Sequence, residues 1–400
     1  MIESHIACRS GNIGINKSSF APRIESLDAL RGLVMIIMAL DHSRDFFDAD
    51  AMRFSATDLS QTYPALFFTR LASHFCAPAF VFLAGASVFL WRRTHTIAEA
   101  RMFLLTRGLW LILLDLIVIS PIWTHEFGRF GLDTLSAIGF GFLALAAAIS
   151  ISPPALLLIG ATIIGGHDLL DAIHANDLGA FGSFWPLLHE RGPLPFGFNG
   201  QVHYPILPWI GIMLIGYGAG PLFIQEPGAQ RKWLLGSGAV LCLLFIILRF
   251  TNYYGDPHPW RFYPDQLTTL MSFLNVSKYP PSLLYAAMTL GPTLALLQVI
   301  HDLPNLFMRI LIVFGRTPLF FYVTHLYVIV GASFLYEMTQ GFRIDEIIAI
   351  LRSSQPPSGY GAGLFGVYIA WLAIVAALYP VCRRFALYKS AHTDWWLKYL

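Results

Sequence analysis

The chain has 400 residues, and its composition is unusual for a soluble protein. Hydrophobic residues make up 56% of it and charged residues only 12%, against about 25% charged residues in typical soluble domains. Mean hydropathy is +0.60, a balance opposite to that of intrinsically disordered chains. The formal net charge of +2 offers no basic surface for nucleic acid. The composition therefore predicts an integral membrane protein that is surrounded by lipid.

Apolar runs recur along the whole chain. A helix that crosses the hydrocarbon core needs about 20 mostly apolar residues, because lipid offers no partner for backbone N–H and C=O groups. About ten stretches come near this length: 27–40, 72–90, 102–123, 135–151, 155–170, 204–224, 233–250, 282–300, 306–335 and 361–381. The sequence therefore predicts an all-α fold, a polytopic membrane helical bundle of about ten transmembrane helices.

The ninth stretch, 306–335, is longer than one span and contains a glycine and a proline near its start, Gly315 and Pro318. Proline interrupts the hydrogen bonds of a helix, so we interpret this stretch as one span with a kink or break. The predicted organisation is a cytoplasmic N-terminal segment (1–26), a transmembrane domain (27–383) and a cytoplasmic C-terminal tail (384–400).

The orientation in the membrane follows from lysine and arginine, which concentrate in cytoplasmic loops. One set of connections is short and rich in cations; its members include Arg92, Arg93, Arg231, Lys232, Arg383 and Arg384. The first 26 residues belong to the same set through Arg9, Lys17 and Arg23, and they lack the apolar core of a cleaved signal peptide. The alternation predicts that both termini lie in the cytoplasm.

The first span carries a cation and an imidazole on one face. Arg31 and His42 are eleven residues apart, which is about three helical turns and about 16 Å of rise. Each could be structural, Arg31 as a cytoplasmic anchor and His42 as an interfacial residue. Asp41 is adjacent to His42, but neighbouring side chains diverge by about 100° on a helix, so Asp41 is not assumed to orient the imidazole.

Several histidines are predicted at the outer membrane level. His42, His74 and His203 each begin or end a span there, and His325 lies in the outer half of the ninth. A histidine at a helix end is usually structural, whereas a tuned imidazole can serve as a general base. No HxxxH or HExxH pattern occurs, so no metal is expected.

Two further charges fall within predicted spans, where ionisable groups are costly and usually mark function. Asp115 is in the middle of the third span, and Arg316 is in the inner half of the ninth. An ion pair of Asp115 with an arginine would simply hold the bundle together. The functional alternative makes Arg31 and Arg316 a cationic funnel for an anionic cofactor that arrives from the cytoplasm.

Four strings resemble the bacterial members of the heparan-α-glucosaminide N-acetyltransferase catalytic-domain family. They are SLDALRGL from Ser26, HFCAPAFVFLAG from His74, YPILPWIG from Tyr204 and FGRTPLFFYVTH from Phe314. The resemblance implies a transmembrane acyltransferase of the bacterial inner membrane. Its donor would be acetyl-CoA or another acyl-CoA, and its acceptor a hydroxyl or amine of an extracytoplasmic glycan.

The resemblance also suggests roles for the charged and histidine residues. His42 would be the leading general base, with His74 and His203 as further catalytic candidates; Asp41, Asp115 and His325 would line the site, and Arg31 and Arg316 would bind the acyl-CoA. The lysosomal relatives are thought to use a histidine in the first extracytoplasmic loop, shortly after an asparagine. Here Asp41 takes the asparagine's place and residues 43–68 contain no histidine, which favours direct attack by the acceptor over an acyl-histidine.

Two other functions fit parts of the sequence. A secondary transporter of a small anionic or sugar-like solute would use midplane charges and broken helices, but no internal repeat is visible. A non-catalytic membrane scaffold would not need several histidines at one depth. The sequence is compatible with a homo-oligomer and does not identify the acceptor.

Overall fold

The computed structural model describes residues 25–399, and helices make up most of them. Within this part of the chain, seven helical segments are long and apolar enough to cross a membrane: Pro64–Arg92, Ile97–Thr124, Pro153–Leu170, Ile206–Ile224, Pro227–Thr251, Pro318–Thr339 and Gly363–Ala391. Two shorter apolar helices, Thr134–Ala148 and Leu283–Val299, accompany them. The prediction of an all-α polytopic membrane protein is confirmed.

The first half of the described chain contains nine α-helices: α1 (Glu25–Phe47), α2 (Ala49–Arg53), α3 (Pro64–His74), α4 (Cys76–Arg92), α5 (Ile97–Leu114), α6 (Ser120–Thr124), α7 (Thr134–Ala148), α8 (Pro153–Gly166) and α9 (Trp185–Leu188). The second half contains α10 (Ile206–Gly218), α11 (Pro227–Thr251), α12 (Gln266–Leu274), α13 (Leu283–Val299), α14 (Asn305–Arg316), α15 (Pro318–Thr339), α16 (Ile344–Ser353) and α17 (Gly363–Ala391). One turn of π-helix, Asp115–Ile119, joins α5 to α6.

A small three-stranded sheet lies among these helices, and the sequence analysis did not anticipate it. Its strands are β1 (Phe130–Leu132), β2 (Gly192–Pro193) and β3 (Gly200–Val202), in the order β1-β3-β2. β1 and β3 are parallel and in register, with Leu132 opposite Val202. The residues that follow these strands, Asp133 and His203, are therefore neighbours.

Helix α1 is the centre of the bundle and packs against α3, α4, α14, α15 and α17. Two glycines allow α14 to approach it closely. A Cβ on Gly32 would lie 1.8 Å from the Leu311 carbonyl oxygen, and one on Gly315 would lie 1.7 Å from that of Asp28. Leu311 precedes Gly315 on α14, but its contact Gly32 follows Asp28 on α1. The two helices are therefore antiparallel where they touch.

The ninth predicted span requires a correction. The break near Pro318 exists, but stretch 306–335 forms two helices, α14 and α15, separated at Thr317. Arg316 lies beside Asp28 and His325 beside His42, so α15 follows α1 in the same direction whereas α14 opposes it. The chain therefore reverses at Thr317, and a single kinked span was the wrong interpretation.

The predicted domain boundaries fall at the two ends of the bundle. Residues 1–24, which include Arg9, Lys17 and Arg23, lie outside the described part of the chain. At the other end, α17 continues to Ala391, through the predicted boundary between 383 and 384. The last turns of this helix are thus continuous with the bundle.

The long segment between α11 and α13 is held by one buried arginine, Arg249, which is 2% exposed. Its guanidinium donates hydrogen bonds of 2.7 to 2.9 Å to four backbone carbonyls, those of His258, Ser272, Phe273 and Asn275. Arginine suits this task because its five N–H donors lie in a fixed plane. The side chain therefore ties residues 258 and 272–275 of the 252–282 segment to α11.

Arg249→Met should loosen this segment, because four buried carbonyls lose their donors at once. We expect a loss of about 3 kcal/mol of stability and faster cleavage between 252 and 282 by proteinase K. Arg261→Met is the matched control, since Arg261 lies in the same segment and is exposed. Equal protease resistance of the two variants would contradict this account of Arg249.

Candidate active site

His42 of α1 and His325 of α15 form a hydrogen-bonded pair. His42 Nδ1 lies 2.8 Å from His325 Nε2, and the two rings stack with their centroids 5.0 Å apart. His325 is fully buried, and its Nδ1 lies 2.7 Å from the backbone carbonyl of Phe321. The structure thus joins two histidines that are 283 residues apart in sequence.

The hydrogen bonds of this pair determine which nitrogens carry protons in the neutral state. A carbonyl only accepts, so His325 Nδ1 must donate to Phe321, and the lone pair of His325 Nε2 is left as an acceptor. His42 Nδ1 must then donate to His325, which leaves the lone pair on His42 Nε2. Within the described residues no hydrogen bond occupies that nitrogen. His42 Nε2 is therefore available to accept a proton.

Aromatic side chains surround the His42 imidazole. The Trp123 ring packs edge-on against it at 5.2 Å between centroids, and the Tyr322 ring does so at 6.2 Å. Trp123 also stacks on Phe46. This enclosure holds the imidazole in place and limits the access of water to it.

A cavity of about 430 Å³ extends along α1 towards His42. Asp28, Arg31, Met35 and Met38 line it from this helix, at spacings of three, four and three residues. The same pattern continues to His42, because residues three or four apart share a helix face. Tyr322 also lines the cavity and touches His42. The cavity therefore runs from Arg31 to Tyr322, whose ring packs against His42, whereas His42 itself does not line the cavity.

Basic side chains gather at the Arg31 end of the cavity. Arg31 Nη1 lies 2.9 Å from Asp28 Oδ1, and Arg316 Nε lies 3.6 Å from Asp28 Oδ2. Arg107 and Lys389 line the cavity as well. Arg31 and Arg316 share the single carboxylate of Asp28 among the described residues, so these two guanidinium groups leave an excess of positive charge here. The two predicted cofactor-binding arginines are thus in one place.

Asp41 lies in the C-terminal part of α1, and no hydrogen bond joins it to the His42–His325 pair among the described residues. Its carboxylate bonds to Arg44, at 2.8 Å, and to Arg70 of α3. It is 7% exposed, and a buried carboxylate with two arginine partners is stabilised in its charged form. Asp41 therefore ties α1 to α3 next to the site. Arg70, which completes this pairing, was not singled out from the sequence.

His74 and His203 make contacts of their own. His74 is buried, its Nδ1 lies 2.8 Å from the Arg70 carbonyl, and its own carbonyl accepts from Tyr285 at 2.7 Å. His203 Nδ1 lies 3.0 Å from Asp133 Oδ1. Among the residues described, no hydrogen bond or ring contact joins either of them to His42. Of the three other predicted site histidines, His325 is the one that contacts His42 directly.

Asp115 is fully buried at the start of the π-helical turn. Its Oδ2 accepts hydrogen bonds from the backbone N–H groups of Asp133 and Ser136, at 2.8 and 2.9 Å. These N–H groups belong to the first turn of α7, where helical donors lack partners. An ion pair with arginine is not found for Asp115 in residues 25–399. Its carboxylate instead caps α7 and thereby positions Asp133 beside His203.

Lys278 and Tyr279 form a polar cluster that sequence reasoning missed. Lys278 is 8% exposed, and its ammonium lies 5.2 Å from the Tyr279 ring centre and 5.9 Å from that of Tyr204. Burial alone would raise the pKa of Tyr279, but the positive charges of Lys278 and Arg70 lower it to about 8. Lys278 also interacts electrostatically with His42. Through Lys278, this cluster adds a positive charge to the electrostatic surroundings of His42.

Residues 23–248 match the family described as heparan-alpha-glucosaminide N-acetyltransferase, catalytic. The match covers more than half of the chain and includes Arg31, His42 and Asp115, whereas Arg316 and His325 lie beyond it. No curated protein matches the chain. The resemblance seen in the sequence is confirmed: the chain belongs to the heparan-alpha-glucosaminide N-acetyltransferase catalytic family, a family of membrane acetyltransferases.

Proposed function

We propose that this protein transfers an acyl group, acetyl by family, from cytoplasmic acyl-CoA to a hydroxyl or amine of an extracytoplasmic glycan. One observation supports this most directly. A cavity begins at a cluster of basic side chains and reaches Tyr322, whose ring packs against His42, and His42 Nε2 makes no hydrogen bond among the described residues. An acyl-CoA fits this arrangement, because its phosphates could bind at the basic end of the cavity and its thioester could lie at the end near His42.

Donor binding would use both parts of the cavity. Arg31 and Arg316 would bind the phosphates of the CoA, since guanidinium groups pair well with phosphate oxygens. Met35 and Met38 offer an apolar wall for the arm that carries the thioester. The lysine- and arginine-rich connections support a cytoplasmic position for the basic end and for both termini. The membrane would be the bacterial inner membrane.

The chemical step assigned to His42 is proton removal from the acceptor. His42 Nε2 would take the proton as the acceptor oxygen or nitrogen attacks the thioester carbonyl carbon. The C–S bond of the tetrahedral intermediate then breaks, and the proton passes from His42 to the departing CoA sulfur. His325 would stabilise the imidazolium by accepting from His42 Nδ1. Lys278 and Tyr279 are candidates for stabilising the oxyanion.

The proposed activity can be tested with the purified protein in liposomes. Labelled acetyl-CoA is supplied on one side, and glycans from the producing cell are offered on the other. Transfer of label to glycan, lost on His42→Ala, would support the proposal, and mass spectrometry of surface glycans from deletion cells would identify the acceptor. Unchanged surface glycans together with no transfer in liposomes would refute the proposal.

Arg31→Ala should weaken acyl-CoA binding by about tenfold or more, because a phosphate-binding group is lost at the basic end of the cavity. Binding can be measured by calorimetry on the detergent-solubilised protein. Arg383→Ala is the matched control, since Arg383 is exposed on the neighbouring helix α17 and does not line the cavity. Equal affinities for the two variants would argue against a donor site at Arg31.

His325→Ala should lower kcat by about tenfold to a hundredfold, because His42 loses the acceptor that sets its tautomer. His325→Gln should retain more activity, since the glutamine carbonyl can reach the position of the lost ring nitrogen. The double variant with His42→Ala should be no slower than His42→Ala alone, as expected for groups that act as one unit. Additive losses in the double variant would mean that His325 acts independently.

A further inference from the structure

His167 and His189 are two histidines that the proposed transfer does not use. Both are buried, at 2% and 3% exposed. His167 follows α8 and begins a short 3₁₀ helix, and His189 follows α9. Their rings lie 5.4 Å apart between centroids. The fold therefore brings two imidazoles together away from the His42 site.

Three of the four ring nitrogens of these imidazoles lack a hydrogen bond of normal geometry within the described residues, although His167 Nε2 lies 3.3 Å from a carboxylate oxygen of Asp168. Among the described residues, neither ring nitrogen of His167 has a hydrogen bond of normal geometry, and His189 Nδ1 has none either. The Pro281 carbonyl lies near His167 but is not aligned for such a bond. His189 Nε2 alone is satisfied, at 3.0 Å from Asp171 Oδ1. Because a buried nitrogen without a partner is costly, this arrangement points to a missing ligand.

The third member of the cluster is the carboxylate of Asp171. One ligand atom from each of His167, Asp171 and His189 lies within 4.8 Å of the other two. Zinc binds imidazole nitrogen and carboxylate oxygen at about 2.0 to 2.2 Å in a tetrahedron, so bound ligand atoms would be about 3.3 Å apart. Small side-chain rotations would bring the three ligand atoms from their present separations to the separation expected around a bound zinc ion. The Asp171 side chain is 26% exposed, which gives an ion a route of entry.

We propose that His167, Asp171 and His189 bind one Zn²⁺ ion between the end of α8 and the segment that carries α9. Two imidazoles and one carboxylate suit zinc, whereas Mg²⁺ and Ca²⁺ prefer sites made of oxygen ligands. Three protein ligands leave a fourth position for water. The site is separate from the histidine pair of the proposed transfer.

Asp168 connects this site to the rest of the bundle. Its Oδ1 lies 3.3 Å from His167 Nε2, and its Oδ2 accepts from the Leu283 backbone N–H at 3.0 Å. Carboxylates behind a metal-binding histidine commonly orient its ring. An ion bound here would therefore clamp α8, α9 and the start of α13 together.

The HxxxH and HExxH patterns, whose absence predicts no metal, could not mark this site. His167 and Asp171 are four residues apart on a short 3₁₀ turn, where the α-helical rule that places residues i and i+4 on one face does not hold. The third ligand comes from 18 residues further on. A search for histidine–aspartate pairs at this spacing would have marked the segment.

Zinc binding can be measured on the full chain purified in detergent with a tag that contains no histidine. The protein is stripped with a chelator, and Zn²⁺ alone is titrated in competition with a chromophoric chelator, with metal content determined by mass spectrometry. We expect one Zn²⁺ per chain with a dissociation constant of about 1 µM or tighter. Failure of the folded wild-type protein to take up Zn²⁺ at ten times that concentration would overturn the proposal.

Substitutions of the proposed ligand residues test where the zinc ion binds. His189→Ala and Asp171→Asn should each weaken Zn²⁺ binding by about a hundredfold or more, and Zn²⁺ should raise the melting temperature of the wild type only. His174→Ala is the matched control, since His174 lies in the same segment with a side chain 67% exposed. If His189→Ala does not fold, the zinc affinity of Asp171→Asn tests the site, since Asp171 is partly exposed. Wild-type affinity in Asp171→Asn would overturn the proposal. Since no acyl donor is present, failure of the proposed transfer would not affect this result.

Discussion

Replacing His42 by alanine should lower acyl transfer by about a hundredfold or more, the usual scale for the loss of a general base. The reason lies in the proton positions of the His42–His325 pair, which leave the lone pair on His42 Nε2. Donor binding should survive, because Arg31 lies about three helical turns away. The measurement is transfer of labelled acetyl-CoA together with its binding affinity, each determined for wild type and variant.

The pH dependence of transfer gives a second readout of the same role. Only the neutral imidazole can accept a proton, so transfer should fall as the medium is acidified. That fall should be absent from the residual activity of His42→Ala. His258→Ala serves as the control, since its side chain is 76% exposed in the 252–282 segment. Normal transfer by His42→Ala would move the base to His74 or His203.

The stripe from Arg31 to His42 could be predicted because helix geometry is local. Eleven residues of continuous helix place both side chains on one face, and α1 is continuous over Glu25–Phe47. The partner of His42 could not be predicted in the same way. His325 was expected at the same depth, but only long-range packing of α15 against α1 brings the two rings into contact.

The surroundings of the buried charges were also beyond local patterns. The structural alternative for Asp115 was an ion pair with an arginine, and its actual partners are backbone N–H groups at the start of α7. Backbone donors at a helix start leave no mark on the sequence around the acceptor. Lys278 and Tyr279 lie in a connecting segment, and the hydrophobic periodicity of a sequence does not predict the course of a connecting segment through the structure. Arg249 and its four carbonyl partners tie this segment to α11.

The reversal at Thr317 was missed for a related reason. Hydropathy measures the length of an apolar stretch, and it does not distinguish one kinked helix from two opposed helices. The informative residues are the glycines. A position without a Cβ atom on each of two helices allows their backbones to approach each other closely. Gly32 and Gly315 meet α14 and α1 in this way. Their contact places Arg316 beside Asp28 and begins α15 on its course to His42.

Gly32→Ala should therefore destabilise the protein severely. The added Cβ would lie 1.8 Å from the Leu311 carbonyl oxygen and 2.6 Å from its carbon, and neither backbone can yield without separating two packed helices. Overpacking of ordinary cores costs about 1 to 3 kcal/mol, so we expect about 3 kcal/mol or more here. The measurement is the thermal unfolding midpoint and the fraction of monodisperse protein in detergent.

Gly236→Ala provides the comparison that isolates this effect. Gly236 is an exposed position inside α11, and a Cβ there would meet nothing within 4 Å among the described residues. Alanine is the better helix former by about 1 kcal/mol, so this variant should be neutral or slightly more stable. Any Gly32→Ala protein that does fold should also lose acyl-CoA affinity, because separation of α14 from α1 moves Arg316 away from Arg31. A Gly32→Ala protein as stable as Gly236→Ala, with normal donor binding, would show that close packing of α14 on α1 is not what assembles the basic end of the cavity.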